Sequence, residues 1–233
     1  MKRFALVLAA ATVASVSVLV QTPPAGGQPP QTPPPAGAPA GQQQRPQLPP
    51  LGPKEWRIDA GHSAASFSVR HNVVSTVRGQ LGRISGKIEY DGKDVKSVAA
   101  DVSIDVKGIS THNERRDNHL RSADFFDAEN HPTMTFRSKR VEAAANGKFK
   151  LIGDLTIRGI TKEVALDVEG PSPVMKSQRG VLTGATATTK ISRKEYGILW
   201  NNLIEAMPVV GDEVTVTIDL ELNRPALPGA SSV

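Results

Sequence analysis

Apolar and polar residues alternate along most of the stretch 54–224. The clearest segment is 214–223, where every second residue is apolar and the residues between are polar or charged. A period of two places successive side chains on opposite faces of a β-strand, so such a segment has one buried face and one face in water. Segments 101–107 and 163–169 repeat the pattern. We count eight or nine strands of this kind, which predicts an all-β domain.

Tight turns separate the predicted strands. Asp91-Gly92 and Asn146-Gly147 are typical turn pairs, and the second favours a type I′ hairpin. Antiparallel strands with one apolar face bury those faces either in a two-sheet sandwich or in a closed barrel, which leaves no free edge. The alternation alone is compatible with both architectures.

The N-terminus has the pattern of an export signal. Lys2 and Arg3 precede an apolar stretch that ends near Val20, as in a secretory signal peptide. An uncleaved anchor, with its basic end inside, is the alternative for residues 1–20 and would tether the protein to a membrane. We therefore expect a periplasmic or secreted protein. The chain has no cysteine, which excludes a lipoprotein anchor and disulfide bonds.

The stretch 21–53 has the composition of a disordered linker. It consists mainly of proline, glycine, glutamine, alanine and threonine and holds 12 of the 18 prolines, so it cannot bury enough apolar surface to fold. We expect a tether in 21–53, one β-barrel domain in 54–224 and a flexible tail in 225–233. A linker of arbitrary length is the alternative to a tether.

The charge of the predicted domain argues against a nucleic-acid partner. The whole chain carries a net charge of +5, but three of its 28 basic residues precede the domain, which leaves 25 basic and 23 acidic residues. Positively and negatively charged residues are interspersed along the domain, and aromatic residues are few. Such a surface does not follow a phosphate backbone or stack on bases. The sequence gives no indication of an oligomeric state.

The residues that interrupt the strand pattern carry a resemblance to a known family. They read Arg116-Asp117-x-His119-Leu120-Arg121, then Asp124-Phe125-Phe126-Asp127, then Pro132 and Phe136. Residues 62–71, 153–162 and 210–214 agree with the same family in order along the chain. Together these segments span about 55–223 and resemble the YceI-like family. The chain departs from the family pattern at His131, where tyrosine is usual, and at Tyr196, where phenylalanine is common.

The resemblance implies a secreted, lipocalin-like barrel that binds isoprenoid or similar lipids. It favours an antiparallel up-and-down β-barrel of about eight strands over a sandwich. Two segments that break the alternation, 111–121 and 198–207, are expected near one mouth of the barrel, with one or two short helices there. A barrel of this size is either filled by its own side chains or holds one small ligand.

The predicted inward residues of segment 181–191 are small, which favours a hollow barrel. Aromatic side chains that lean inward and fill the space are the alternative, since natural cores are tightly packed. The resemblance favours a channel. Its expected apolar walls are Phe67, Val69, Ile104, Leu120, Phe125, Phe126, Phe136, Leu155, Ile157, Ala185, Ala187 and Trp200.

A polar cluster could hold the head group of a lipid at the mouth. Arginine suits a phosphate, if one is present, and the alternative is that these side chains brace the connection through local hydrogen bonds. The expected head-group residues are His62, Arg116, Asp117, His119 and Arg121.

The sequence offers little for catalysis or for metal binding. It lacks a Gly-x-Ser-x-Gly elbow, a His-Glu-x-x-His motif and a cysteine nucleophile, and its histidine spacings match no common zinc pattern. We therefore expect no cofactor and no enzyme activity. The predicted function is to carry or store a long apolar chain, such as a polyisoprenoid, a polyprenyl phosphate or a quinone. A filled interaction or stress module and an enzyme acting on such a lipid are the alternatives.

Overall fold

The computed structural model describes residues 50–143, 148–178, 180–201, 203–204 and 207–225. The predicted signal peptide, nearly all of the predicted linker, the tail beyond Pro225 and the Asn146-Gly147 turn lie outside these residues. None of the helices described is long and apolar enough to cross a membrane.

Strands dominate the described part of the chain. One α-helix, α1 (Glu114–Arg121), interrupts them, together with 3₁₀ turns at Val95–Ser97 and Arg193–Tyr196. The strands are β1 (Glu55–Ile58), β2 (Ala64–His71), β3 (Ser75–Gln80), β4 (Ile84–Glu89), β5 (Ala99–Asp105), β6 (Thr133–Ala143), β7 (Lys148–Ile157), β8 (Ile160–Glu169), β9 (Met175–Ser177), β10 (Gly180–Ser192), β11 (Leu203–Ile204), β12 (Met207–Pro208) and β13 (Val210–Pro225).

The main sheet closes on itself. Its neighbours run β13-β1-β4-β5-β6-β7-β8-β10, and β10 pairs back onto β13 along thirteen residues, from Gly180 opposite Pro225 to Ser192 opposite Glu213. Within the described residues this ring is an eight-stranded antiparallel barrel, which confirms the predicted fold. A closed ring satisfies the backbone groups that a sandwich would leave at its edges.

The long strand β13 has two successive neighbours on one side. Its first part pairs with β2, from Val210 opposite His71 to Asp219 opposite Ala64, and its end pairs with β1. Strand β3 then pairs with β2. The start of β13, the end of β10 and the β2–β3 turn therefore lie at the same end of the barrel, which is the end that carries the mouth.

The period-two pattern places the apolar side chains inside. Along β5, Ala100, Val102 and Ile104 are buried, whereas Asp101 is exposed. Val102 lies opposite Phe136 on β6, and such cross-strand pairs form layers within the barrel. The apolar residues of the predicted alternation therefore form the interior of the barrel.

Within the described residues, one of the two predicted break segments contains a helix. Residues 111–121 contain α1, whose N-cap residue Asn113 accepts a hydrogen bond from the backbone N–H of Arg116 at 3.0 Å. Where residues 198–207 are described, they contain β11 and the start of β12 and no helix. The 3₁₀ turn just before them, at Arg193–Tyr196, ends at Gly197, whose φ of 72° lies in the left-handed region that glycine favours.

Candidate functional site

An apolar cavity of about 190 Å³ occupies the barrel interior and is called the inner cavity below. Side chains from seven of the eight ring strands, all but β1, line it. Eleven of the twelve predicted wall residues are among them, namely Phe67, Val69, Ile104, Leu120, Phe125, Phe126, Phe136, Leu155, Ile157, Ala185 and Ala187. A space of this size exceeds the small voids usual in a packed core, so the structure favours the hollow barrel over the filled one.

Small side chains on β10 create much of this space. Ala185, Ala187 and Thr189 face the inner cavity from β10. Their partners Leu220, Ile218 and Val216 on β13 face it as well. Since Ala185 and Ala187 lie opposite the larger Leu220 and Ile218, the interior stays open beside β10. The small inward residues that the sequence predicted in segment 181–191 therefore lie on β10.

A second space of about 480 Å³ adjoins the inner cavity and is called the mouth cavity. Both spaces are lined by Phe67, Val69, Leu120, Phe125 and Val210. The mouth cavity also has polar walls. These come from β2, from α1 and from its N-cap residue, and they include Arg70, His71, Asn113, Arg115, Arg116 and His119. A polar entrance that leads into an apolar interior is the arrangement expected for an amphipathic ligand.

Three rings pack together beside this entrance. The ring of His119 makes edge-on contacts with Phe125, at 5.0 Å between centroids, and with Trp200, at 4.8 Å. Phe125 and Trp200 contact each other at 5.1 Å. Trp200, the twelfth predicted wall residue, lines the mouth cavity. Trp200 of segment 198–207 therefore contacts α1, in agreement with the prediction that the two break segments lie near one mouth.

The predicted head-group residues on α1 are largely engaged with their own connection. Arg116 donates from Nε to Thr111 Oγ1 at 2.7 Å and from Nη2 to the Thr111 carbonyl at 3.0 Å. Arg121 donates to the carbonyls of Lys107 and Ile109, each at 2.8 Å. These are the local hydrogen bonds that the bracing hypothesis requires. Arg116 and His119 also line the mouth cavity, so a head-group contact by either stays a prediction.

His62 lies apart from this group. It lines neither cavity and is exposed, with Nδ1 3.3 Å from Asp59 Oδ1 and 3.7 Å from Glu221 Oε1. Ligand atoms of these three residues lie within 4.8 Å of one another. Such exposed acidic groups are common at surfaces without any bound ion, and the trio has no connection to the mouth.

Asp117 is the buried member of the α1 cluster. Its Oδ1 accepts from the backbone N–H of Thr111 at 2.8 Å and from the Thr111 hydroxyl at 2.5 Å. Burial is the largest single effect on the pKa of this carboxyl, and by itself it raises the pKa. The hydrogen bonds from Thr111 and the charges of Arg121 and Arg116 together lower the pKa by more. The net result is a pKa below the usual range of aspartate. Asp117 therefore ties α1 to the connection from β5 as an ionised group.

Asp117→Asn is expected to destabilise the protein by about 1–3 kcal/mol at pH 7, because a buried acceptor of two hydrogen bonds loses its charge. A lowered folded-state pKa stabilises the fold above the ordinary aspartate pKa of about 4. That contribution is lost as the pH falls through the folded pKa. Urea unfolding should therefore show a gap between wild type and variant that narrows below about pH 4.

Asp101 provides the control for this experiment. It is an exposed aspartate that pairs with Arg137 at 2.9 Å on the outside of the barrel. Asp101→Asn should change the free energy of unfolding by less than about 1 kcal/mol. A constant gap for Asp117→Asn between pH 7 and pH 3 would contradict the ionised role of Asp117.

Arg193 was not identified from the sequence as a residue of the site, and Tyr196 was noted only as a departure from the family pattern. Arg193 is 4 % exposed, and its guanidinium donates to the carbonyls of Gly211, Ile198, Trp200 and Val210 and to Asp212 Oδ1. Burial lowers the pKa of Arg193, and the Asp212 carboxylate opposes that effect. Arg193 thus fastens the segment beside the mouth to the start of β13. No motif distinguishes this arginine from the exposed ones.

An antiparallel barrel closed around an apolar cavity, with a polar mouth beside a short helix, is a lipocalin-like binding barrel. The family model for the YceI-like domain matches residues 56–222, and the chain belongs to this family. The resemblance seen in the sequence is thereby confirmed.

Relatives of known sequence and structure agree with this assignment. A UPF0312 protein of Staphylococcus aureus strain USA300 is 38% identical over 173 residues, which are 72% of this chain and 96% of that protein. The Campylobacter jejuni YceI protein is 32% identical in sequence, and its crystal structure is similar to this one with a TM-score of 0.58. The match covers 65% of this chain and 87% of that one. A polyisoprenoid binding domain from Saccharophagus degradans shares the fold at 16% identity, with a TM-score of 0.55, over 73% of this chain and 98% of that one.

Proposed function

We propose that this protein is an exported lipid-binding barrel that carries or stores one long apolar chain of polyisoprenoid type. The observation that carries the proposal is the inner cavity, which has apolar walls on every side and adjoins a polar mouth. The S. degradans domain with the same fold is described as polyisoprenoid binding, which supports this choice of ligand. Export is proposed from the N-terminal pattern of Lys2, Arg3 and the apolar stretch after them.

The energetics of apolar binding favour a long ligand. Each buried methylene contributes about 0.8 kcal/mol, whereas association costs on the order of 4–15 kcal/mol. About ten buried carbons therefore only break even. A polyisoprenoid tail, such as that of a polyprenyl phosphate or a quinone, supplies enough carbon to bind well without strong polar contacts.

The composition of the inner cavity supports a binding role over a catalytic one. Its described walls contain no histidine, no carboxylate and no cysteine, which are the side chains that most often act as bases or nucleophiles. We therefore propose a carrier or store for the lipid and assign no residue a catalytic role. The existence of the cavity argues against the filled interaction module.

A series of isoprenoid alcohols of increasing length tests the proposal. Each added unit that still fits inside should strengthen binding to the purified protein by roughly 10-fold or more, since several methylene-sized groups are buried per unit. Affinity should reach a plateau once the cavity is full, and the length at the plateau measures the cavity. The head group without its chain is the control. An affinity that does not depend on chain length would contradict a chain buried in the barrel.

A further inference from the structure

Exposed apolar side chains are concentrated at the mouth end of the barrel. Of the six large hydrophobic side chains that the described part of the chain exposes, four lie at this end. Val73 and Val74, which are 59 % and 82 % exposed, form the tip of the β2–β3 turn. Leu199 is 66 % exposed beside the mouth, and Ile160 lies near Gly197 at the end of the 3₁₀ turn. Single exposed apolar residues are normal, whereas a group of them at one end marks an interaction surface.

Valine at position 73 does not help the turn to fold. The backbone N–H of Val74 donates to the His71 carbonyl at 3.1 Å and closes the turn. Its two central residues, Asn72 and Val73, have φ values of 49° and 59°. Such a turn favours Asn-Gly, and a β-branched residue at positive φ is strained. Because the side chain is also exposed, valine adds strain without adding to the core, which points to a role other than folding.

Positive charge borders this apolar tip. Arg70 donates from Nη1 to Thr76 Oγ1 at 3.0 Å and from Nη2 to the Val73 carbonyl, so its guanidinium is held beside the turn. The described walls of the mouth cavity hold two further arginines, Arg115 and Arg116, and no carboxylate. The rim of the mouth therefore combines exposed apolar side chains with positive charge.

Arg115 is the arginine of this group that is free for a partner. Its side chain is exposed and makes no hydrogen bond or ion pair with the other residues that the structure describes. It lies in the first turn of α1, where the helix dipole favours negative charge, so its position does not stabilise the helix. Of the carboxylates nearby, Asp124 contacts His119 at 2.8 Å, and Glu114 does not line the mouth cavity.

We propose that this rim, formed by Val73, Val74, Leu199, Arg70 and Arg115, docks on the surface of an anionic phospholipid bilayer. The apolar side chains enter the boundary between head groups and acyl chains, and the arginines meet the lipid phosphates. The mouth cavity then opens toward the bilayer. Docking itself requires no ligand in the barrel, whereas its use for exchanging a lipid with the bilayer rests on the proposed function.

Cosedimentation with lipid vesicles tests the docking. The protein used is residues 50–233, which lack the apolar N-terminal stretch. This part folds on its own, since the barrel closes within 55–225 and the S. aureus relative matches over nearly its whole length. It should bind vesicles of phosphatidylglycerol and phosphatidylcholine at least about 10-fold more tightly than vesicles of phosphatidylcholine alone. Added salt should weaken the binding to the anionic vesicles.

Three substitutions test the residues of the rim. Val73→Asn and Val74→Asn should each weaken binding to the anionic vesicles by about 10-fold, because each removes an apolar side chain that the bilayer buries. Arg115→Gln should weaken it by about 5-fold. Asparagine tolerates the positive φ of position 73 better than valine does. Urea unfolding of Val73→Asn should therefore show a barrel at least as stable as wild type, so that a loss of docking is not a loss of folding.

Val174→Asn is the matched control. Val174 is 40 % exposed and precedes β9, which pairs with the start of β10. Since that start pairs with the end of β13, Val174 lies at the opposite end of the barrel from the mouth. The same exchange of residue there should leave vesicle binding unchanged.

The outcomes separate this inference from the proposed function. Equal binding to neutral and anionic vesicles, or an equal loss in Val174→Asn and Val74→Asn, would overturn docking through the rim. A barrel that binds isoprenoid alcohols in solution but no vesicles would contradict the docking alone. A barrel that binds anionic vesicles through the rim but takes up no isoprenoid alcohol would support the docking and contradict the proposed function.

Discussion

Ala187→Phe is expected to block lipid binding while the barrel stays folded. Ala187 faces the inner cavity from β10, and its neighbours Ile218 on β13 and Val168 on β8 face it too. A phenylalanine ring there occupies space that the ligand needs. If it displaces roughly four methylenes at about 0.8 kcal/mol each, affinity falls by about 100-fold. Titration with a long-chain isoprenoid alcohol measures the change, and Ala185→Phe should act in the same way.

Ala165→Phe is the matched control for this experiment. Ala165 lies on β8 with an exposed side chain, so the same change of residue adds its ring outside the barrel. Binding should then equal that of wild type. Undiminished binding in both Ala185→Phe and Ala187→Phe, with all variants folded, would count against a ligand inside the barrel.

Arg193→Ala should cause the largest loss of stability of the variants considered. The change leaves the carbonyls of Ile198, Trp200, Val210 and Gly211 without their donor. Unpaired buried groups cost about 1–3 kcal/mol each when water cannot reach them, and partial hydration reduces that sum. We expect the free energy of unfolding to fall by about 3 kcal/mol or more, as measured by urea unfolding.

The neighbouring residue provides the comparison for Arg193. Lys194 contacts the same carboxylate, Asp212, at 2.6 Å, but its side chain is exposed. Lys194→Ala should therefore cost less than about 1 kcal/mol. Equal destabilisation by the two variants would mean that the ion pair with Asp212, and not the bonds to the four carbonyls, accounts for the role of Arg193.

The strand pattern could be predicted because it follows from local alternation. Segment 214–223 predicts one apolar and one polar face, and its apolar residues on β13 do line the inner cavity, namely Val214, Val216, Ile218, Leu220 and Leu222. The choice of a barrel over a sandwich could not come from alternation, since it depends on whether β10 pairs with β13, a contact between distant parts of the chain. The family resemblance supplied that information.

The polar part of the site was harder to predict. The role of each polar side chain depends on its hydrogen-bond partners, which are distant in sequence or belong to the backbone. Two nearby arginines such as Arg116 and Arg121 are typical of a phosphate-binding site. In the structure, however, their N–H groups donate to the backbone carbonyls of Thr111, Lys107 and Ile109. Arg193 looks like any charged residue in a surface turn until the chain brings residues 210–212 beside it. Backbone acceptors leave no sequence signal.

Native mass spectrometry of the protein purified from a bacterial host, compared with its denatured mass, is the most direct test of lipid binding. We expect an added mass that dissociates on unfolding and that extraction identifies as a long-chain isoprenoid lipid. A protein that purifies without such a mass, and that stays free of lipid after incubation with polyprenyl alcohols and quinones, would contradict the proposal of a lipid-binding barrel.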